Sequence, residues 1–83
     1  MTIKIHPHAV ERIQERGATE AEVFLTVEFG EKFPAKYGRS GFRRNFIHEK
    51  IWKNKFYGTK QIEAFVVMEN EYWLVLTAIV KYF

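Results

Sequence analysis

Apolar residues follow two periods along this chain, a helical one up to Gly30 and a strand-like one after it. Residues 2–5, TIKI, alternate and predict a short first strand with Ile3 and Ile5 on one face. Pro7 suits the first turn of a helix, where its missing N–H removes no intrahelical bond. Val10, Ile13 and Gly17, with Ala9 beside them, mark one side of a helix running to about Arg16, and Gly17 is expected to stop it in the left-handed conformation. Thr19 reads as the N-cap of a second helix, with Glu22 three residues later completing a capping box. Glu20 and Glu22 also suit the positive end of that helix. Val23, Phe24, Leu25 and Val27 give it a broad apolar side, and Gly30 ends it. The short Gly17-Ala18 turn makes the two helices a tight hairpin.

From Glu31 onward the side chains alternate. Residues 32–37 predict a strand in which Pro34 marks an edge or a bulge. Residues 38–41, GRSG, predict a turn, and residues 42–49 a second strand. Residues 51–58, IWKNKFYG, fit either an extension of the sheet or a projecting loop. Residues 61–69 predict a strand, Asn70-Glu71 a hairpin turn, and residues 72–80 the last strand. In that last strand, alternation places Tyr72, Leu74, Leu76, Ala78 and Val80 on one face, and Trp73, Val75, Thr77 and Ile79 on the other. Ile62, Ala64, Val66 and Met68 likewise oppose Phe65 and Val67. Both faces of the sheet are thus apolar near its centre, while two short helices cover one. Residues 51–58, a second copy of the chain forming a homodimer, or a partner is expected on the other face. The expected architecture is a single α+β domain over residues 1–83. Its order is β-α-α-β-β-β, with the helical hairpin on one face of a mainly antiparallel sheet.

Composition narrows the function classes. Of 83 residues, 47% are hydrophobic and 17% aromatic, enough for a packed core and too many for a disordered chain. The absence of cysteine excludes disulfides and thiolate metal sites. The apolar run over residues 72–80 is far shorter than the ~20 residues that span a bilayer. The N-terminus lacks the basic-then-apolar pattern of a signal peptide. A cytoplasmic protein with no membrane partner is expected. The net charge of +3 is unevenly placed. Residues 32–60 hold nine bases against the single acid Glu49, whereas the segments on either side are net acidic. Such localised positive charge is the footprint of a phosphate-binding or acid-binding face.

The densest part of that charge is Arg39, Arg43, Arg44, Lys50, Lys53, Lys55 and Lys60, interleaved with Phe42, Phe46, Trp52, Phe56 and Tyr57. Bases attract phosphate and flat rings stack on nucleobases. Arg39, Arg43, Arg44, Lys53, Lys55 and Trp52 are therefore the candidate nucleic-acid-binding residues, with RNA or the ribosome as the expected partner. Adjacent strand residues point to opposite faces, which separates Arg43 from Arg44 and groups Arg44, Phe46 and His48. Cleavage of RNA needs a proton acceptor, a proton donor and cations for the phosphorane charge. His48, Arg44 and Tyr57 are the candidates for those roles, and Lys53, Lys55 and Tyr57 alternate as a second basic stripe. The structural alternative is a packed or solvated His48 and lysines that guard a sheet edge. His8, Arg12 and Arg16 recur every four residues and form one slanting helical stripe, a candidate phosphate clamp. The same arginines would otherwise pair with neighbouring glutamates and tie the hairpin to the sheet. Tyr82 and Phe83 either fray or supply a ring to the site. His6-x-His8 has no cysteine or aspartate beside it, so no metal and no cofactor is expected.

Two motifs carry a family resemblance. The first is His8-x3-Arg12-x3-Arg16-Gly17 followed by Thr19-Glu20-x-Glu22-Val23. The second is Leu74-Val75-Leu76-Thr77-Ala78 in the last strand. With the element order, they resemble the RelE/ParE-like superfamily of small bacterial toxins, in particular an uncharacterised branch with a His, Arg and Arg-Gly helix. The resemblance covers most of the chain. It implies a cytoplasmic toxin-like protein paired with a cognate antitoxin. Many relatives are endoribonucleases that promote attack of a ribose 2′-hydroxyl on the adjacent phosphate without a metal. Others, ParE-like, bind DNA gyrase and cleave no RNA. The resemblance thus leaves two readings open, a nucleic-acid-binding endoribonuclease and a non-catalytic module that binds a protein target.

Overall fold

The capping signals place both helices where the apolar period predicts them. In the computed structural model, which describes residues 2–83, α1 spans Pro7–Glu15 and α2 spans Glu20–Phe29. His6 caps α1, its Nδ1 accepting from the His8 amide at 3.2 Å. Gly17 follows with φ +82°, the left-handed turn that glycine adopts most cheaply. The capping box of α2 is complete. The Glu22 amide donates to Thr19 Oγ1 at 3.1 Å, and the Thr19 amide donates to Glu22 Oε1 at 2.9 Å. Gly30 is the C-cap.

The strands are β1 (Thr2–Ile5), β2 (Glu31–Pro34), β3 (Ser40–Trp52), β4 (Lys55–Glu69) and β5 (Tyr72–Tyr82). The order β-α-α-β-β-β-β is the expected α+β arrangement, and its four strands after the helices answer to those expected over residues 32–37, 42–49, 61–69 and 72–80, one more than the order β-α-α-β-β-β counts. The sheet runs β1-β5-β4-β3-β2, with β1 parallel to β5 and every other pair antiparallel. Pro34 sits at the end of β2, an edge strand whose outer side needs no N–H. Residues 51–58 extend the sheet instead of covering it. Trp52 pairs with Lys55 across a turn in which Lys53 and Asn54 both have positive φ, 49° and 68°. Asn70 and Glu71 make the same two-residue turn between β4 and β5. Turns of this hand match the twist of the strands they join.

Strict alternation fails once in β5, and the failure reassigns half the strand. Phe65 pairs with Thr77 while Val66 pairs with Val75, so Leu76 is an extra residue in a bulge. A one-residue slip moves every side chain beyond it to the opposite face. Trp73 and Val75 therefore share the helix-facing side with Ala78, Val80 and Tyr82. Thr77 and Ile79 face the other way. The core forms on the first side. Ile13, Ala18, Val23 and Val27 of the helical hairpin pack on Phe42, Ile62, Ala64, Val66, Val75 and Ala78. Fully buried residues such as Ile13, Val23, Ile62, Val66 and Val75 each contribute roughly 1.5–3 kcal/mol of transfer free energy.

Helix length decides what remains open. Ten residues of α2 extend only about 15 Å, whereas the thirteen residues of β3 run up to about 40 Å. The hairpin of β3 and β4 therefore projects beyond the helices, and the molecule measures 41 × 23 × 22 Å. No helix among the described residues is long and apolar enough to cross a membrane.

Candidate functional site

The end of α1 is where helix, sheet and basic segment meet. A helix terminus leaves carbonyls without partners, and here the sheet supplies the donors. Tyr82 donates its hydroxyl to the Arg16 carbonyl at 2.6 Å. Lys60 Nζ donates to the Gly17 carbonyl at 2.9 Å and to Glu22 Oε1 at 2.8 Å. Its positive charge also faces the negative end of the α1 dipole. Burial alone would raise the Glu22 pKa, but hydrogen bonds from Lys60 and Thr19 outweigh it and hold the carboxyl below its ordinary value. Burial and the nearby Glu22 charge push the Tyr82 phenol up, so it stays protonated and donates. Beyond β1, the outer edge of β5 has no strand partner, and Arg16 Nη1 donates there to the Ala78 carbonyl at 2.6 Å.

Four rings close over this corner. Trp52 stacks on Tyr82 with centroids 5.1 Å apart and planes 16° from parallel. His48 lies 5.2 Å and Tyr57 5.5 Å from the same Tyr82 ring. Gly17 leaves room for them, since a Cβ there would overlap the Tyr82 hydroxyl and sit 2.7 Å from Trp52. Both His48 nitrogens are shielded from solvent and have no hydrogen-bond partner among the described residues. Burial, with the charges of Lys60 and Lys50, pushes the His48 pKa below its ordinary value, against a smaller opposing pull from Glu22. The ring is therefore neutral at pH 7.

The sequence candidates divide among three places. His48, Tyr57 and Trp52 converge on Tyr82, and the exposed tip adds Lys53 and Lys55. Lys53 Nζ lies 5.5 Å from the Trp52 ring centre and Lys55 Nζ 5.6 Å from that of Tyr57. Arg44 does not join them. It pairs with Ile62 on the helix-facing side, its guanidinium 6.0 Å from the Phe29 ring and 5.5 Å from Phe46, with a buried Nε lacking a partner. The face expected to carry Arg44, Phe46 and His48 is thus the one on which the helices pack, with Arg44 beside Phe29 and Phe46, and His48 against Tyr82. Arg43 is on the opposite face, bonded through Nε to Glu63 at 2.9 Å, with Lys81 3.2 Å from the other carboxylate oxygen. Arg39 lies at the far end of β3 over Tyr37.

The phosphate clamp is likewise not assembled. Arg16 is engaged by Ala78, while His8 and Arg12 are exposed, with the His8 ring stacked on His6 at 5.3 Å. Sequence reasoning gave Lys60 no special role, and Tyr82 only the option of a ring. Lys60 lies on the helix-facing side with Ile62, Ala64 and Val66. A lone base continuing an apolar face was the signal for a buried ion pair.

At one end of the open side of the sheet Phe33 lies over Gly41 and against Phe65, whereas toward the hairpin tip that side is uncovered by any described residue. Ile47, Ile51, Phe56 and Phe83 are 86%, 69%, 62% and 58% exposed there, beside the Arg43–Glu63–Lys81 row. No protein-family model, curated protein or solved structure matches the chain. Fold and site together define an α+β domain with a projecting, aromatic-backed basic hairpin.

Proposed function

We propose that this protein binds single-stranded RNA along the projecting tip of the β3–β4 hairpin. The observation that carries the reading is the pairing of cations with rings at that tip. Lys53 and Lys55 stand over Trp52 and Tyr57, and neither they nor Lys50 makes an ion pair with a described residue. Free ammonium groups draw in the phosphate backbone, and a base stacked on an aromatic side chain contributes about 1–3 kcal/mol without reading sequence. Two of the nine bases in the segment play no part, since Lys60 is buried against Glu22 and Arg43 is held by Glu63. Arg44 lies on the helix-facing side and Lys32, Lys36 and Arg39 at the other end of β3, so the attraction at the tip is that of Lys50, Lys53 and Lys55.

A toxin-like endoribonuclease of a toxin–antitoxin pair is the narrower form of this proposal. Its support is the motif resemblance and a neutral His48 beside Tyr57 and Tyr82, the protonation state that a general base requires. His48 reaches a ribose hydroxyl only if the ring cluster around Tyr82 opens, because its nitrogens are covered. Incubation with structured RNA and with ribosome-bound mRNA in EDTA tests it. Cleavage that disappears in His48→Gln supports catalysis. Binding without cleavage under both conditions removes it and leaves the RNA-binding reading intact.

A further inference from the structure

A second concave surface lies at the opposite end of β3 from the hairpin tip, and no part of the reading above uses it. Phe33, Pro34, Ala35, Lys36, Tyr37 and Arg39 wrap a cavity of about 390 Å³ against Phe65 and Thr77. An adjoining cavity of about 430 Å³ shares Phe33, Pro34 and Arg39 and adds Lys32 and Ser40. The first of these is a bowl on the open side of the sheet, whereas Lys32 pairs with Phe42 and places its Nζ 5.5 Å from the Trp73 ring on the helix-facing side. The bowl's lining contains two bases, Lys36 and Arg39, and three aromatic rings, and no carboxylate.

Three local devices shape it. The first is Gly41: a Cβ there would overlap the Phe33 ring, so the glycine lets that ring lie against the sheet. Phe33 then meets Phe65 edge-on at 5.9 Å and carries the Arg43 guanidinium 4.5 Å from its centre. The second is the Lys36–Arg39 turn, closed by the Arg39 amide on the Lys36 carbonyl at 3.3 Å. Tyr37 and Gly38 take its central positions with φ 62° and 70°. A bulky residue in the left-handed region is strained, and observed strain of this kind points toward function. Here it holds the Tyr37 ring 87% exposed at the rim, with Arg39 6.0 Å from its centre. The third is the Leu76 bulge. Without the extra residue Thr77 would face the helices. With it, Thr77 lines the bowl opposite Phe65, and its hydroxyl makes no hydrogen bond to another described side chain.

We infer that this bowl binds one nucleotide, its base stacked on Tyr37 and its phosphate held by Arg39 and Lys36. The charge selects an anion, the rings select a flat aromatic group, and Thr77 offers one polar contact to the base edge. A nucleotide unites all three. Its source is either a free mononucleotide or the terminal residue of an RNA strand.

The test is titration of the whole protein with AMP, adenosine, inorganic phosphate and a short 5′-phosphorylated RNA, followed by amide chemical shifts. Saturable AMP shifts are expected at residues 33–40, 65 and 77, with much weaker ones for adenosine or phosphate alone. Equal affinity for AMP and the RNA identifies the free nucleotide as the ligand, and tighter RNA binding at the same residues identifies a strand end. Tyr37→Asn keeps a residue suited to the left-handed turn, so its Tm should be unchanged or higher while AMP binding weakens about tenfold. Arg39→Ala should remove the advantage of AMP over adenosine. Lys53→Ala/Lys55→Ala should leave the AMP shifts untouched, which separates this site from RNA binding at the tip. The inference is overturned if AMP gives no saturable shift at the bowl, if adenosine binds as well as AMP, or if an acidic aromatic peptide binds there and AMP does not.

Discussion

Glu22→Ala is expected to destabilise the protein by about 3 kcal/mol, more than any neighbouring surface change, because it leaves a buried ammonium without its counter-charge. Lys60 is only 6% exposed, and with the carboxylate gone only the Gly17 carbonyl remains to it. The same substitution removes half of the α2 capping box. Lys60→Met should cost less, under about 1.5 kcal/mol, since the stem volume is kept and the part-exposed Glu22 regains water. Urea denaturation of the two variants checks the asymmetry. Equal losses would mean that the pair does not anchor the hairpin. The same pair sets acid behaviour. Glu63 resembles Glu22: burial raises its pKa, and Arg43 and Lys81 outweigh that effect. A carboxyl whose folded pKa is depressed adds stability that is fully present above its ordinary value of 4.5. That stability is lost as pH falls through the depressed folded value. The protein should therefore weaken below about pH 4.5, and Glu22→Ala should weaken less steeply over the same range.

Gly17→Ala is expected to cost a further class of energy, about 3 kcal/mol, through shape and not charge. Its φ of +82° disfavours any Cβ, and the added methyl would strike the Tyr82 hydroxyl and the Trp52 ring. The Tyr82 bond to Arg16 and the Trp52–Tyr82 stack must then shift together. Thermal unfolding and near-UV circular dichroism report the two consequences separately. A loss under about 1 kcal/mol with an unchanged aromatic spectrum would mean that the rings give way freely, and that Gly17 does not fix the hairpin tip.

These residues also show which features the sequence carries openly. Caps and turns are local, so Thr19, Glu22, Gly17 and the Asn70-Glu71 turn could be read directly. The helix-facing series Ile62, Ala64, Val66 was legible for the same reason. What alternation cannot register is an inserted residue. Leu76 separates Trp73 and Val75 from Thr77 and Ile79, which alternation puts on one face, without any compositional mark. The fate of the basic segment was hidden for a different reason. Whether a lysine is buried, as Lys60 is, or free, as Lys53 is, depends on where the helices end, and that follows from comparing the rise of a helix with that of a strand. The grouping of His48 and Tyr57 required Tyr82, contributed by the next strand over, and such pairings are set by register.

The salt dependence of RNA binding tests the central claim most directly. Titration of a short unstructured RNA over a range of salt should give a line of log affinity against log salt. In Lys50→Ala/Lys53→Ala/Lys55→Ala the slope should fall by about 2, on the order of 0.7 for each lost phosphate contact with a single strand. Folding should be unaffected, because all three side chains are exposed. An unchanged slope, or no binding by the unmodified protein at low salt, would contradict the assignment of the hairpin tip as an RNA-binding surface.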